Sequence, residues 1–124
     1  MNNNKVVVFY LLMLIIHVAH VFEEIWGRFW LLDKVGLGLY LTINCLLFCI
    51  PVILFYFILM NKRWAYMISV LYATFMILQG VGHIIATIVS GKYFDGFAGG
   101  YTGISLLIIG SALNYHLLKG LRTK

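Results

Sequence analysis

Apolar residues fall into four long stretches along the chain, separated by short polar segments. The stretches run from about 5 to 26, 36 to 60, 64 to 90 and 99 to 118. Each is about 20 residues or longer, which is what a helix rising about 1.5 Å per residue needs to cross a hydrocarbon core of about 30 Å. Only helices and closed barrels satisfy their backbone in lipid, and these stretches are too long for barrel strands. The pattern therefore predicts four transmembrane helices.

The links between the stretches are short, which favours antiparallel neighbours. Residues 61–63 make a tight turn, and residues 92–100 form a glycine-rich link. The expected architecture is all-α, a single transmembrane domain over residues 1–124 that folds as an antiparallel bundle of four spans. No small-x-small cleavage site follows the first apolar run, so we expect that run to remain as a helix rather than to act as a signal peptide.

Composition and charge support a membrane location. Apolar residues make up 63% of the chain and charged residues only 10%, whereas a soluble domain is about 25% charged. Six cations lie on the side of the termini and three on the other side, which predicts a bacterial plasma-membrane protein with both termini in the cytoplasm. The first group is Lys5, Lys62, Arg63, Lys119, Arg122 and Lys124, and the second is Arg28, Lys34 and Lys92. Because the net charge of +5 sits at segment ends, we expect no nucleic-acid partner.

Ionisable residues interrupt the end of the first span, in the stretch HVAHVFEE from residue 17 to residue 24. At about 100° per residue, His17 and Glu24 point within about 20° of each other on a helix, and His20 lies about 60° away. Glu23 lies at the margin of this face. Ionisable groups are costly inside a membrane and usually functional there, so this face is the first candidate for a site.

Other spans carry polar residues at a matching depth. The third span has a stripe that includes Gln79 and His83, and the second span offers Asn44. These lie in the half of the membrane away from the termini, whereas Asn114 and His116 lie in the opposite half. The residues expected to converge, with Gln79 beneath them, are His17, His20, Glu23, Glu24, Asn44 and His83.

Each of these residues also has a plainer interpretation. Glu24 and Arg28 are four residues apart in the favourable order for an exposed ion pair at a helix end. Glu23 is then a solvated end of the helix, and His83 an interhelical hydrogen-bonding residue. The coincidence of several such groups at one depth is what favours a functional site.

Two further patterns concern packing. Cys45 and Cys49 lie one helical turn apart, and we expect two small buried hydrophobic residues rather than a disulfide. The fourth span presents a small-residue face through Gly103 and Gly110 to Asn114, which would let a neighbouring helix approach closely.

Enzymatic chemistry is the first of three functional hypotheses. His20 and Glu24 would share a proton as general acid and base, with Glu23 and His83 as further catalytic candidates and Arg28 in support. A lipophilic substrate would enter from the membrane lipid between the helices.

Metal binding is the second hypothesis. Imidazole and carboxylate groups suit zinc, iron or manganese, and the candidate ligands are His17, His20, Glu24 and His83. Asn44 and Gln79 would support such a site. A haem held between His20 and His83 is a variant of this hypothesis.

The third hypothesis is a non-enzymatic membrane protein, such as a transporter protomer, an immunity factor or a structural subunit. Four spans enclose little volume, so a transporter of this size would need to form a homo-oligomer. Metal content after purification separates this hypothesis from the second.

The segment His20-Val21-Phe22-Glu23-Glu24 has the pattern H-x-x-E-E. With four short spans and a later histidine, His83, the chain resembles the HXXEE family of small bacterial membrane proteins over most of its length. The resemblance implies a small integral membrane protein and carries no settled activity.

A second, weaker resemblance lies in residues 23–28, which have the pattern E-E-x-x-x-R. This is similar to the first motif of CAAX-type intramembrane proteases, in which paired glutamates activate a water and later histidines complete the site. The resemblance implies that role for Glu23 and Glu24. The later motifs depart, because Gln79 stands where that family has phenylalanine and Thr87 where it has asparagine or aspartate.

Overall fold

The computed structural model of this protein describes residues 4–91 and 100–122, and these residues form helices joined by short turns. Four of the helices are long and apolar enough to cross a membrane. The prediction of an all-α bundle of four spans is confirmed. In chain order the helices are α1 (Asn4–Trp26), α2 (Trp30–Val35), α3 (Leu37–Leu59), α4 (Arg63–Ser90) and α5 (Gly100–Arg122).

Residues with positive φ angles lie where two of the helices end. Arg28 has a positive φ of 51° in the turn after α1, and Gly36 has a φ of 78° where α2 ends. That second conformation favours glycine because it lacks a Cβ atom. The short helix α2 was not predicted, and α5 continues to Arg122 rather than ending near residue 118. Most of the predicted glycine-rich link lies outside the described residues.

Helices α4 and α5 pack more closely than any other pair among the described residues. A Cβ atom added to Gly80 would lie 2.5 Å from the carbonyl oxygen of Gly103, and one added to Gly110 would lie 2.8 Å from a side-chain carbon of Ile77. Real side chains do not tolerate such distances, so both helices depend on glycine at these contacts. The predicted small-residue face of the last span is therefore confirmed as a close-packing surface.

Helix α1 packs against α5 along one narrow face. Its buried positions alternate in steps of four and three residues, the spacing of a helix that keeps one seam towards its neighbours. They are Val6, Tyr10, Met13, His17, His20 and Glu24. The polar residues singled out in the sequence are therefore the continuation of the α1 packing face.

Helix α3 packs more loosely than the other spans. Of the 18 residues in its most apolar stretch, only 17% are buried, against 28–33% for the corresponding stretches of the other three spans. Cys45 and Cys49 are exposed, so the expectation that they are buried was wrong. In a membrane-spanning bundle, exposed apolar positions of this kind face lipid.

Candidate functional site

Glu24 is the centre of a buried polar cluster although it carries a carboxylate. Its exposed fraction is 2%, against 1% for His20 and 7% for His83. One carboxylate oxygen, Oε1, lies 3.5 Å from Nε2 of His20 and 3.1 Å from Nε2 of His83. The imidazole rings of the two histidines lie 4.6 Å apart, edge to face. Helices α1 and α4 thus bring two histidines and one carboxylate together, as the matched depths predicted.

Thr102, on α5, fixes the orientation of His20 through the Nδ1 atom of its ring. The Thr102 hydroxyl donates to a carboxylate oxygen of Glu23 at 2.5 Å and lies 2.7 Å from Nδ1 of His20. Because the hydroxyl has given its one proton to the carboxylate, Nδ1 of His20 must be the donor in the second bond. The Nε2 atom of a neutral His20 then carries a lone pair directed at Glu24.

Glu23 has a different role from its neighbour Glu24. Its two oxygens accept hydrogen bonds from the backbone N–H groups of Tyr101 and Thr102, both at 2.8 Å. These N–H groups belong to the first turn of α5, where backbone donors have no intrahelical partner, and a carboxylate there is favoured by the helix dipole. Glu23 therefore lies in the last turn of α1, caps the start of α5 and positions Thr102 against His20.

The other side of the cluster is closed by aromatic residues. The Tyr40 hydroxyl, on α3, donates a short hydrogen bond to Oε2 of Glu24. The ring of Phe29, in the turn before α2, lies 5.4 Å from the ring of His83. Oε2 of Glu24 therefore accepts a hydrogen bond from Tyr40, and Oε1 faces the two histidines.

The remaining predicted residues lie around this cluster. His17 lies one turn away from it, with Nδ1 at 3.1 Å from the Tyr72 hydroxyl, and is not in the group of three whose ligand atoms lie within 4.8 Å of one another. The Asn44 side chain donates to the backbone oxygen of Tyr40 at 2.9 Å. Gln79 lines cavities next to the cluster.

Arg28 lies in the turn after α1 and does not pair with Glu24. The ion-pair contacts of Glu24 within the described ranges are with the two histidines instead. The plainer interpretation of Glu24 as one end of an exposed ion pair is therefore wrong, because the side chain is turned into the bundle.

Three cavities open beside the cluster. One of about 250 Å³ lies between α1, α3 and α4 and reaches His20. One of about 330 Å³ lies between α1 and α3. A third of about 530 Å³ lies between α4 and the turn at Phe29 and Trp30, and reaches His83. The cluster is thus approached from the sides of the bundle.

The spacing of the three facing atoms suits a metal ion. Ligand atoms about 2.0–2.1 Å from a zinc ion at tetrahedral angles lie about 3.3 Å from one another. The separations of 3.1 and 3.5 Å between Glu24 and the two histidines lie on either side of that value. Two histidines and one carboxylate also form a known ligand set of zinc and of non-haem iron.

Sequence reasoning did not find the roles of Thr102 and Phe29. Thr102 lies in the first turn of the last span, at the same membrane boundary as Glu23, and that shared depth was the available signal. Phe29 gave no signal, because its contact with His83 depends on the turn between α1 and α2.

Comparison with protein-family models, with curated proteins and with solved structures found no match to this chain. The geometry of the site alone supports the functional argument.

Proposed function

We propose that this protein is a small membrane enzyme in which His20, Glu24 and His83 bind a divalent metal ion, and that it acts on a lipophilic substrate. The observation that carries this proposal is Nε2 of His20. This atom is buried and has no hydrogen-bond partner within the described part of the chain, and it faces a carboxylate oxygen at 3.5 Å. Two hydrogen-bond acceptors that face each other in a low-dielectric interior are unfavourable unless a metal ion or a proton lies between them.

The surroundings of the three residues have the form of a second coordination shell. Metal-binding histidines commonly donate their other ring N–H to a fixed acceptor, which sets the tautomer and the ring orientation. Thr102 supplies that acceptor for His20, and Tyr40 holds the second oxygen of Glu24. Three protein ligands leave a coordination position for water or substrate.

Zinc and iron are the metals that this ligand set favours. A bound ion of this kind supplies Lewis acidity, and iron would add redox chemistry. A haem between His20 and His83 is not supported, because their rings lie 4.6 Å apart with Glu24 beside both, and no room remains for a porphyrin.

The metal content of the purified protein tests the proposal. The native protein in mild detergent should contain about one zinc or iron per chain, and His20→Ala, Glu24→Gln and His83→Ala should each lose most of it while still melting cooperatively. His116→Ala is the control, since His116 stacks on Phe9 at the other end of the bundle with ring centroids 5.2 Å apart. Metal-free native protein after metal reconstitution would contradict the proposal.

Proton chemistry without a metal is the second candidate function. The distance of 3.1 Å between His83 Nε2 and Glu24 Oε1 is also a hydrogen-bond distance, so the pair can hold a proton for general acid–base catalysis. A metal-free protein in which Glu24→Gln still folds would favour this candidate. The paired-glutamate protease has less support, because Glu23 is occupied by the start of α5.

The proposed orientation places both termini in the cytoplasm of a bacterial cell. The cluster then lies near the non-cytoplasmic surface of the plasma membrane. The excess of cations at the ends of the spans nearest the termini supports it. A reporter fused after Lys124 should be active only if it folds in the cytoplasm. Activity of a periplasm-specific reporter at that position would contradict the orientation.

A further inference from the structure

Two of the cavities adjoin each other. The cavities of about 250 and 330 Å³ share His17, Val21 and Asn44 in their walls. We call this combined space between α1, α3 and α4 the lateral cleft. Its outer wall is α3, the span that buries the smallest share of its surface, so the cleft is bounded by the most weakly held helix of the bundle.

The polar groups of the lateral cleft are few and lie towards the cluster of His20, Glu24 and His83. They are His17, His20, Asn44, Tyr72 and Gln79. Away from the cluster, the walls are Ile50, Pro51, Leu54 and Ile68. Pro51 has no N–H group to donate within α3. The cavity of about 250 Å³ is therefore amphiphilic, with a polar end at the cluster and a hydrocarbon-lined end towards the termini. The adjoining cavity between α1 and α3 has mostly apolar walls.

The polar end carries no fixed positive charge. Among the described residues, neither the lateral cleft nor the cavity beside His83 is lined by lysine or arginine. Phosphate and carboxylate groups are usually bound by such residues, above all by the planar fork of arginine. Neutral amide, imidazole and hydroxyl groups suit an uncharged head group such as an alcohol, aldehyde, amide or ester.

The volume of the cleft suits one chain. Sites for small molecules commonly enclose about 300–1,000 Å³, and the two parts of the cleft, of about 250 and 330 Å³, lie just below and just above the lower limit of that range. We propose that the substrate of the His20–Glu24–His83 site is an uncharged lipid with a single hydrocarbon chain, which lies in the lateral cleft and enters from the bilayer past α3. This inference rests on the proposed function and narrows its substrate class.

Photo-crosslinking tests the cleft directly. The full-length protein in lipid nanodiscs is incubated with a long-chain alcohol that carries a diazirine on its chain, and the labelled residues are identified by mass spectrometry. Labels should concentrate on the lateral cleft. Val21→Trp adds bulk to a wall that both cavities share and should reduce cleft labelling at least tenfold, and Leu47→Trp should do the same from α3.

Ile15→Trp is the matched control. Ile15 lies on the same helix and is 65% exposed, outside the cleft, so its substitution should leave cleft labelling unchanged. Equal labelling of all lipid-facing surfaces, unaffected by Val21→Trp and Leu47→Trp, would show annular lipid only and overturn the proposal. Equal or stronger cleft labelling by the corresponding fatty acid would overturn the uncharged head group.

Metal content separates this inference from the function on which it rests. Val21→Trp should keep the metal content of the native protein, because Val21 is not one of the three ligand residues. A metal-containing protein with an unlabelled cleft refutes the cleft alone. A cleft that is labelled in a protein without metal supports the binding site and refutes the metal centre.

Discussion

The interface between α4 and α5 is tightly packed, whereas α3 packs loosely against the rest of the same small bundle. At the first, backbones approach so closely that a methyl group on Gly80 would lie 2.5 Å from the Gly103 oxygen. At the second, most side chains face outwards and cavities remain against α1 and α4. Lipid is as apolar as leucine, so close backbone packing rather than hydrophobic burial holds membrane helices together.

The two regions contribute different parts of the site. His83 and Thr102 lie on the tightly packed pair, where the position of a side chain is well defined, and Gly103 packs directly beneath the Cβ atom of His83. The loosely packed α3 contributes Tyr40 and the wall of the lateral cleft. The proposed metal site needs ligands in a fixed geometry, whereas the proposed entrance for lipid needs a helix that can move aside.

Substituting Gly80 should have the largest effect on the fold. Gly80→Ala places a Cβ atom against the Gly103 carbonyl and should cost about 1–3 kcal/mol of folding free energy, the usual range for overpacking. Gly82→Ala is the control, since a Cβ atom there meets nothing within 4 Å. Melting in detergent measures both. Equal melting temperatures would show that the α4–α5 contact is not tight.

Tyr40 tests whether the loosely packed α3 contributes to the proposed metal site. Tyr40→Phe removes the donor to Oε2 of Glu24 and should weaken metal binding about 10–100-fold, as loss of an outer-shell partner does. Tyr56→Phe on the same helix, 59% exposed, should change nothing. Competition with a chelator measures the affinity, and unchanged affinity in Tyr40→Phe would remove α3 from the site.

Glu23 links the two regions through the start of α5. Glu23→Ala should cost about 0.5–2 kcal/mol of stability, the range for loss of a helix cap, and lower metal occupancy because Thr102 loses its acceptor. Glu23→Gln keeps one oxygen acceptor and should cost less. Melting and metal analysis together check this, and a stable Glu23→Ala protein with full metal would show that Glu23 is only a solvated helix end.

The exposed cysteines should give the smallest effect. A Cys45→Ala, Cys49→Ala double variant removes two exposed thiols of α3 that border the cavity against α1 and should change stability by less than about 0.5 kcal/mol, as surface substitutions usually do. Metal content should also be unchanged. Loss of metal in this variant would bring α3 into the ligand set and overturn the division between tight and loose regions.

Local periodicity explains why much of the site was predictable. A helix repeats every 3.6 residues, so the spacing of His17, His20 and Glu24 placed them on one face, and the antiparallel order of the spans set His83 at the same depth. The ring separation of 4.6 Å shows that the imidazoles of His20 and His83, which were expected to converge, face each other across α1 and α4.

What the sequence by itself determined is therefore the set of spans, their antiparallel order and the depth of each polar group, because these follow from the rise and repeat of a helix. Only the tertiary structure decided which neighbour each group meets. Glu23 and Glu24 are adjacent, yet rotation by about 100° between them gives one to the first turn of α5 and the other to two histidines. Cys45 and Cys49 face outwards for the same reason, since the rotation of α3 depends on its contacts with α1 and α4 and not on its own nearly uniform apolar sequence.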